Sequence, residues 1–156
     1  MNKKILFALS VAVVVTVTIG TVSAFDLSDL GSLFGAPKDQ VVTIDGENFT
    51  IPGTFKEIEN ISENGTVNDY NLFKSFDYKK GYSNGTDFIN VLITDYNTTE
   101  LGDDLINFMN GSAKNISGVK GFLYKDDVGY TYSYAKDSKV ISIQSDKEEL
   151  TAPVIA

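Results

Sequence analysis

Seven Asn-x-Ser/Thr triplets are the most distinctive chemistry in this chain. They begin at Asn48, Asn60, Asn64, Asn84, Asn97, Asn110 and Asn115. This triplet is the acceptor pattern for N-linked glycosylation. Two of them stand four residues apart in the stretch ENISENGTVN, residues 59–68. Beyond residue 24 the chain has 11 asparagines and 21 Ser and Thr residues among 132. Random placement at that composition gives about two triplets. Turn chemistry competes as an explanation, because Asn, Gly, Ser and Thr gather in loops for backbone reasons. It suits the Asn-Gly cases, and suits Asn60, Asn97 and Asn115 less well. All seven fall at expected loops or element ends, where a sugar disturbs no core, so several occupied sites are expected.

Other chemistry is limited by what the chain lacks. It has no His and no Cys, which removes Ser-His-Asp and Cys-His nucleophilic catalysis and His/Cys zinc sites. There is no G-x-G-x-x-G and no phosphate loop ending in Gly-Lys-Ser/Thr. Two carboxylates alone suffice for glycoside hydrolysis, and three doublets are visible: Asp103-Asp104, Asp126-Asp127 and Glu148-Glu149. Sequential neighbours point in different directions, so helix-start charges, a hairpin turn and a solvated last turn are the simpler readings. The run from Asp95 to Glu100 lacks the turn glycine of a calcium loop. No catalytic residue, no dedicated metal and no cofactor are expected.

Aromatic residues supply the remaining candidate. In YTYSY, Tyr130, Tyr132 and Tyr134 share one face of a strand. Such a stripe is either a stacking platform for sugars or a partner protein, or core packed across strands against Phe122 and Tyr124. A domain without disulfides needs the apolar area, which favours the core reading. The stacking reading gains if Ile141 and Ile143 face the covering layer and the tyrosines face away.

Composition and the N-terminus indicate an address. Lys3 and Lys4 precede an uncharged apolar run over residues 5–19, and Val22-Ser-Ala24 puts small residues where a signal peptidase reads. Residues 1–24 are expected to be a signal peptide cleaved after Ala24. The rival is a retained anchor, since residues 5–25 are long enough to span a bilayer. Loss of Lys3 and Lys4 leaves 11 lysines against 21 acids, a net charge of −10, and there is no arginine at all. That balance excludes nucleic acid as a partner. It also leaves membrane contact only to the N-terminal segment, if uncleaved. An exported chain without cysteine leans towards a prokaryotic exterior.

The elements that would carry these residues can be traced. Residues 25–40 read as a linker broken by Gly31, Gly35 and Pro37. Residues 41–156 read as one domain. It opens with a hairpin around Asp45-Gly46 and continues with strands over 69–78 and 87–95. A helix is expected over 99–110, with Leu101, Leu105, Phe108 and Met109 as its apolar stripe and Gly111 as its stop. Strands over 119–125, 128–135 and 139–145 follow. Ser145-Asp-Lys-Glu148 then suggests a capping box opening a short last helix. The expected class is α+β: a twisted antiparallel sheet of about five to seven strands, covered on one face by one main helix and a short C-terminal helix.

The stretches VVTIDGENFTIP, then FKE, and later VKGFLYKDDVGYTYSYAKDSKVISIQSDKEEL, resemble small secreted or membrane-anchored proteins of unknown function from methanogenic archaea. The second stretch is also similar to an uncharacterised α+β domain of bacterial membrane-anchored regulators. The resemblance spans most of residues 41–150 and implies a fold; it carries no functional residues. The combined expectation is a secreted or cell-envelope domain of non-enzymatic binding or structural role, N-glycosylated, with a cell-surface component as partner. The alternatives are a secreted carboxylate-based glycoside hydrolase and a membrane-tethered sensor ectodomain.

Overall fold

The structure is a computed structural model that describes residues 37–69, 74–97, 109, 111–152 and 154–155. The chain forms β1 (Gln40–Ile44), β2 (Glu47–Ile51), β3 (Lys56–Glu57), β4 (Glu63–Asp69), β5 (Lys74–Ser83) and β6 (Phe88–Asp95). After the connection come β7 (Ser112–Ile116), β8 (Val119–Lys125), β9 (Tyr130–Lys136) and β10 (Lys139–Ser145). β1 and β2 make a two-stranded sheet. The other eight make one antiparallel sheet in the order β3-β5-β6-β10-β9-β8-β7, with β4 paired to β5 beside β3.

Sequence periodicity explains the central strands. Alternation along β6 places Ile89, Val91 and Ile93 on one face, and all three are fully buried. Register then aligns Ile93 with Ile141 and Val91 with Ile143 across β10. The next step pairs Ile141 with Tyr134 and Ile143 with Tyr132 on β9. Aliphatic and aromatic side chains therefore form continuous rows over three strands, the arrangement that stabilises a sheet face.

Among the described residues the layer on that face is β-structure, which corrects the expected α+β class. The described residues are 63% strand and 6% helical, with no helix of seven residues or more. The fold is β-rich. The β1–β2 hairpin closes the core with Ile44, Phe49 and Ile51, joined by Phe55, Val154 and Ile155. Its turn is the expected one: Asp45 and Gly46 both have positive φ, at 45° and 79°, as a two-residue hairpin of matching twist requires. The tail adds backbone pairing, with Thr50 N–H donating to the Val154 carbonyl at 3.3 Å and a bridge between Phe49 and Ile155. The helix expected over 99–110 lies outside the described residues apart from Met109.

Two smaller expectations are also revised. Ser145 does not open a capping box: its hydroxyl donates to the Phe88 carbonyl at 2.7 Å, across the sheet. Among the described residues only the 3₁₀ turn Glu148–Leu150 follows, with no side-chain cap. The loop expected around residues 60–68 is instead largely strand, β4, with a register shift between Asn64 and Thr66. Among the described residues the sheet thus has eight strands where five to seven were expected.

Candidate functional surface and cleft

The described triplet asparagines share one property: Asn48, Asn60, Asn64, Asn84, Asn97 and Asn115 are all exposed. Asn110 lies outside the described residues. Each of the six lies in a turn or within one residue of a strand end. Asn48 is inside β2, Asn64 inside β4 and Asn115 inside β7. Asn60 sits in a 3₁₀ turn, Glu59–Ile61, between β3 and β4.

Hydrogen bonding separates these residues from the two described asparagines outside a triplet. Asn68 Nδ2 donates to Asp77 Oδ2 at 2.7 Å, and Asn90 Nδ2 donates to Gln144 Oε1 at 3.2 Å. Both therefore commit the nitrogen that a glycan would need. At three triplet asparagines the side-chain oxygen accepts a bond, and Asn84 also bonds the Asp87 carboxylate. Asn48 Oδ1 accepts from Thr43 Oγ1 at 2.8 Å. Asn84 Oδ1 accepts from the Thr86 and Asp87 N–H groups at 2.9 and 2.8 Å. Asn115 Oδ1 accepts from the Gly118 N–H at 3.0 Å.

Turn chemistry is visible at some of these positions. Asn84 organises the β5–β6 turn, and Asn97 has a left-handed φ of 51°, a conformation that asparagine tolerates. It accounts for Asn64 too, which precedes Gly65 at φ 73° in the β4 bulge, but not for Asn48, which pairs regularly with Thr43 in a strand, where asparagine is depleted.

The tyrosine stripe divides. Tyr132 is fully buried and Tyr134 is 7% exposed, both in the core beside Ile141 and Ile143. Neither is available as a stacking surface, so the favoured core reading holds for these two and they leave the candidate binding face. Burial pushes the Tyr134 hydroxyl up to about 12, with the charge of Glu47 adding to the effect. Tyr130, at the end of the row, is half-buried, and Lys125 Nζ lies 5.1 Å from its ring centroid, a cation–π distance.

Tyr130 also borders an open cleft of about 560 Å³, lined further by Lys114, Asn115, Ser117, Glu148 and Glu149. Lys114 forms an ion pair with Glu148 across it. The cleft thus combines an aromatic edge, an amide, a hydroxyl and charged groups, which suits hydrogen bonding to a polar ligand. Sequence reading did not find it as a site. Residues 114–117 and 148–149 are far apart in the chain, and only the return of the chain past β10 brings them together.

The carboxylate doublets have structural uses or lie elsewhere. Asp126 Oδ1 accepts from the Val128 and Gly129 N–H groups at 2.8 and 3.0 Å, which shapes the β8–β9 turn. Glu148 is held by Lys114, and Asp103-Asp104 lie outside the described residues. Among the described residues no group of three or more acidic side chains is arranged to hold a metal. No described helix is long and apolar enough to cross a membrane, and the segment expected to be a signal or anchor lies outside them.

No protein-family model matches this chain, and comparison with curated proteins and with solved structures finds no significant match.

Proposed function

We propose that this chain is an N-glycosylated domain of the cell exterior with a non-enzymatic binding or structural role, exported by its N-terminal segment. One observation carries the reading. The six described triplet asparagines are exposed, whereas the two described asparagines outside triplets spend Nδ2 on internal hydrogen bonds. Exposure leaves room for an oligosaccharide, and the regular strand position of Asn48 weakens turn chemistry as the sole cause of the triplets.

The acidic chain, its lack of cysteine and its apolar N-terminus support the same address. The resemblance to small archaeal secreted proteins agrees with it. A carboxylate hydrolase is the weaker reading: the cleft does hold Glu148 and Glu149, but Lys114 ties Glu148, and the two are sequence neighbours.

Intact mass of the protein isolated from its own host, with glycopeptide mapping, tests the proposal. Sugar masses at several of Asn48, Asn60, Asn64, Asn84, Asn97 and Asn115 are expected, on a chain that begins at Phe25. An unmodified chain starting at Met1 would overturn it and make a membrane-tethered domain the better reading.

A further inference from the structure

Among the described residues the eight-stranded sheet ends in β7 on one side and in β3 and β4 on the other. Both ends face solvent. Ser112, Ala113, Lys114 and Asn115 of β7 are exposed, as are Glu63, Asn64, Thr66 and Val67 of β4. An outermost strand presents unpaired peptide groups and is a template for pairing with another chain. The usual protections are unequally supplied. β4 has a bulge at Asn64–Thr66. β7 pairs with β8 in unbroken register, contains no proline, and carries only Lys114 as a charge.

The turn after β7 fixes which groups are open. Ile116 and Val119 flank a two-residue turn, so Ile116, Lys114 and Ser112 direct their peptide groups to β8 by the antiparallel alternation. Those of Ala113 and Asn115 then face outwards. Asn115 is itself an acceptor triplet. On the opposite side Asn64 is in β4, and Asn60 lies between β3 and β4. Three of the six described acceptors thus lie along the two edges.

We infer that glycans on Asn115 and Asn64 close the two edges of the sheet against pairing with a second copy of the chain. This rests on the glycosylation proposed above. A pairing strand must approach to about 4.8 Å, within the space that an attached, hydrated oligosaccharide occupies. Among the described residues Lys114 is the one charge guarding β7, and glycosylation adds to that protection.

The test compares three forms of the full chain by sedimentation velocity over a concentration series. These are glycoprotein from the native host, glycoprotein carrying Asn115→Gln or Ser117→Ala, and unmodified chain from a host without N-glycosylation. Glycopeptide mapping is done first. The native glycoprotein should remain monomeric. Both single variants, which remove the same glycan in different ways, should show concentration-dependent association, and the unmodified chain should associate most. Ala113→Pro, which deletes an outward N–H, should return the unmodified chain towards monomer. Asn84→Gln, at the β5–β6 turn, should leave the glycoprotein monomeric. If Asn64 and Asn115 are occupied and their removal changes nothing, the edge inference fails while the glycosylation proposal stands. If mapping finds every triplet bare, both fail together.

Discussion

The Tyr132 hydroxyl passes beneath Gly121 to reach two backbone carbonyls, Val119 at 2.7 Å and Lys114 at 3.2 Å. A Cβ on Gly121 would lie 2.7 Å from Tyr132 Cζ and Oη and 2.4 Å from the Ser133 carbonyl oxygen. The buried ring of β9 is therefore pinned under the β7–β8 hairpin, and only a residue without a side chain fits above it. Gly121→Ala should destabilise the domain by about 1–3 kcal/mol through overpacking. Tyr132→Phe should cost about 1 kcal/mol through the lost hydrogen bonds. Urea unfolding measures both. A neutral Gly121→Ala would show that β8 can shift away from β9 freely.

The tip of the β1–β2 hairpin is fastened to the β9–β10 turn by charge. Lys139 Nζ lies 2.9 Å from Asp45 Oδ2, with the side chains only 17% and 19% exposed. Lys136 Nζ reaches Glu47 Oε2 at 2.6 Å. Removing the cation by Lys139→Met leaves two acids half-buried without it, which should cost about 2–4 kcal/mol. Lys74→Met, whose pair with Asp69 is well exposed, should change stability by less than about 0.5 kcal/mol. Equal effects at the two sites would refute the clamp.

Alkaline pH should unfold the domain in a defined window. Burial raises the Tyr82 hydroxyl to about 12, with Glu57 adding, and raises Tyr134 to about 12. Burial opposes the charge of Lys139, but the Asp45 hydrogen bond and the charges of Asp45, Glu47 and Asp95 outweigh it, and its pKa is raised. All three pKa values are higher in the folded state, so the folded chain holds protons that the unfolded chain releases. Their stabilisation is complete below pH about 10 and is lost as pH rises towards 12, by about 2–3 kcal/mol for each tyrosine. Tyrosinate absorbance should rise together with loss of the β-sheet signal. Ionisation of Tyr82 and Tyr134 at their ordinary value in the intact fold would contradict this.

Tyr82 itself gives a sharper version. It is 1% exposed and, among the described residues, its hydroxyl has no hydrogen-bond partner. Tyr82→Phe should be neutral or stabilising at pH 7, because it removes a buried unsatisfied group. It should also flatten the alkaline loss of stability. A marked destabilisation at pH 7 would reveal a partner for the hydroxyl.

The covering hairpin should behave as core. Phe49 is 1% exposed, whereas Val41 on the same hairpin is 69% exposed. Phe49→Ala should cost about 3–5 kcal/mol, and Val41→Ala should lie within about 0.5 kcal/mol of wild type. Thermal melts of the two variants make the comparison. Similar small losses would mean that the hairpin is not part of the cooperative unit.

Much of the strand layout was legible. Asp45-Gly46 marks its turn because both positions require positive φ, and the alternation of Ile89, Val91 and Ile93 marks a face. β8 and β10 start and stop where the residues suggest. β3, β4 and β7 were missed for a common reason. They are short or lie at the edge, and ENGTVND and SAKNI have few apolar side chains, so no hydrophobic period signals a strand. Their strand character comes from the backbone of β5 and β8 beside them. The candidate surface was legible as a set of triplets, but not the cleft, which joins β7 to the turn after β10.

By itself the sequence determined the chemistry that this protein lacks, the acceptor triplets it carries, and the local turns, because residue type and short-range backbone preference suffice for these. Only the tertiary structure decided what covers the sheet, that Tyr132 and Tyr134 point into the core, and that Asn64 and Asn115 stand on opposite edges. Those outcomes depend on pairing between distant strands. Period-two alternation states that one face is buried but not which layer buries it; here β1–β2 and the C-terminal residues supply that apolar surface.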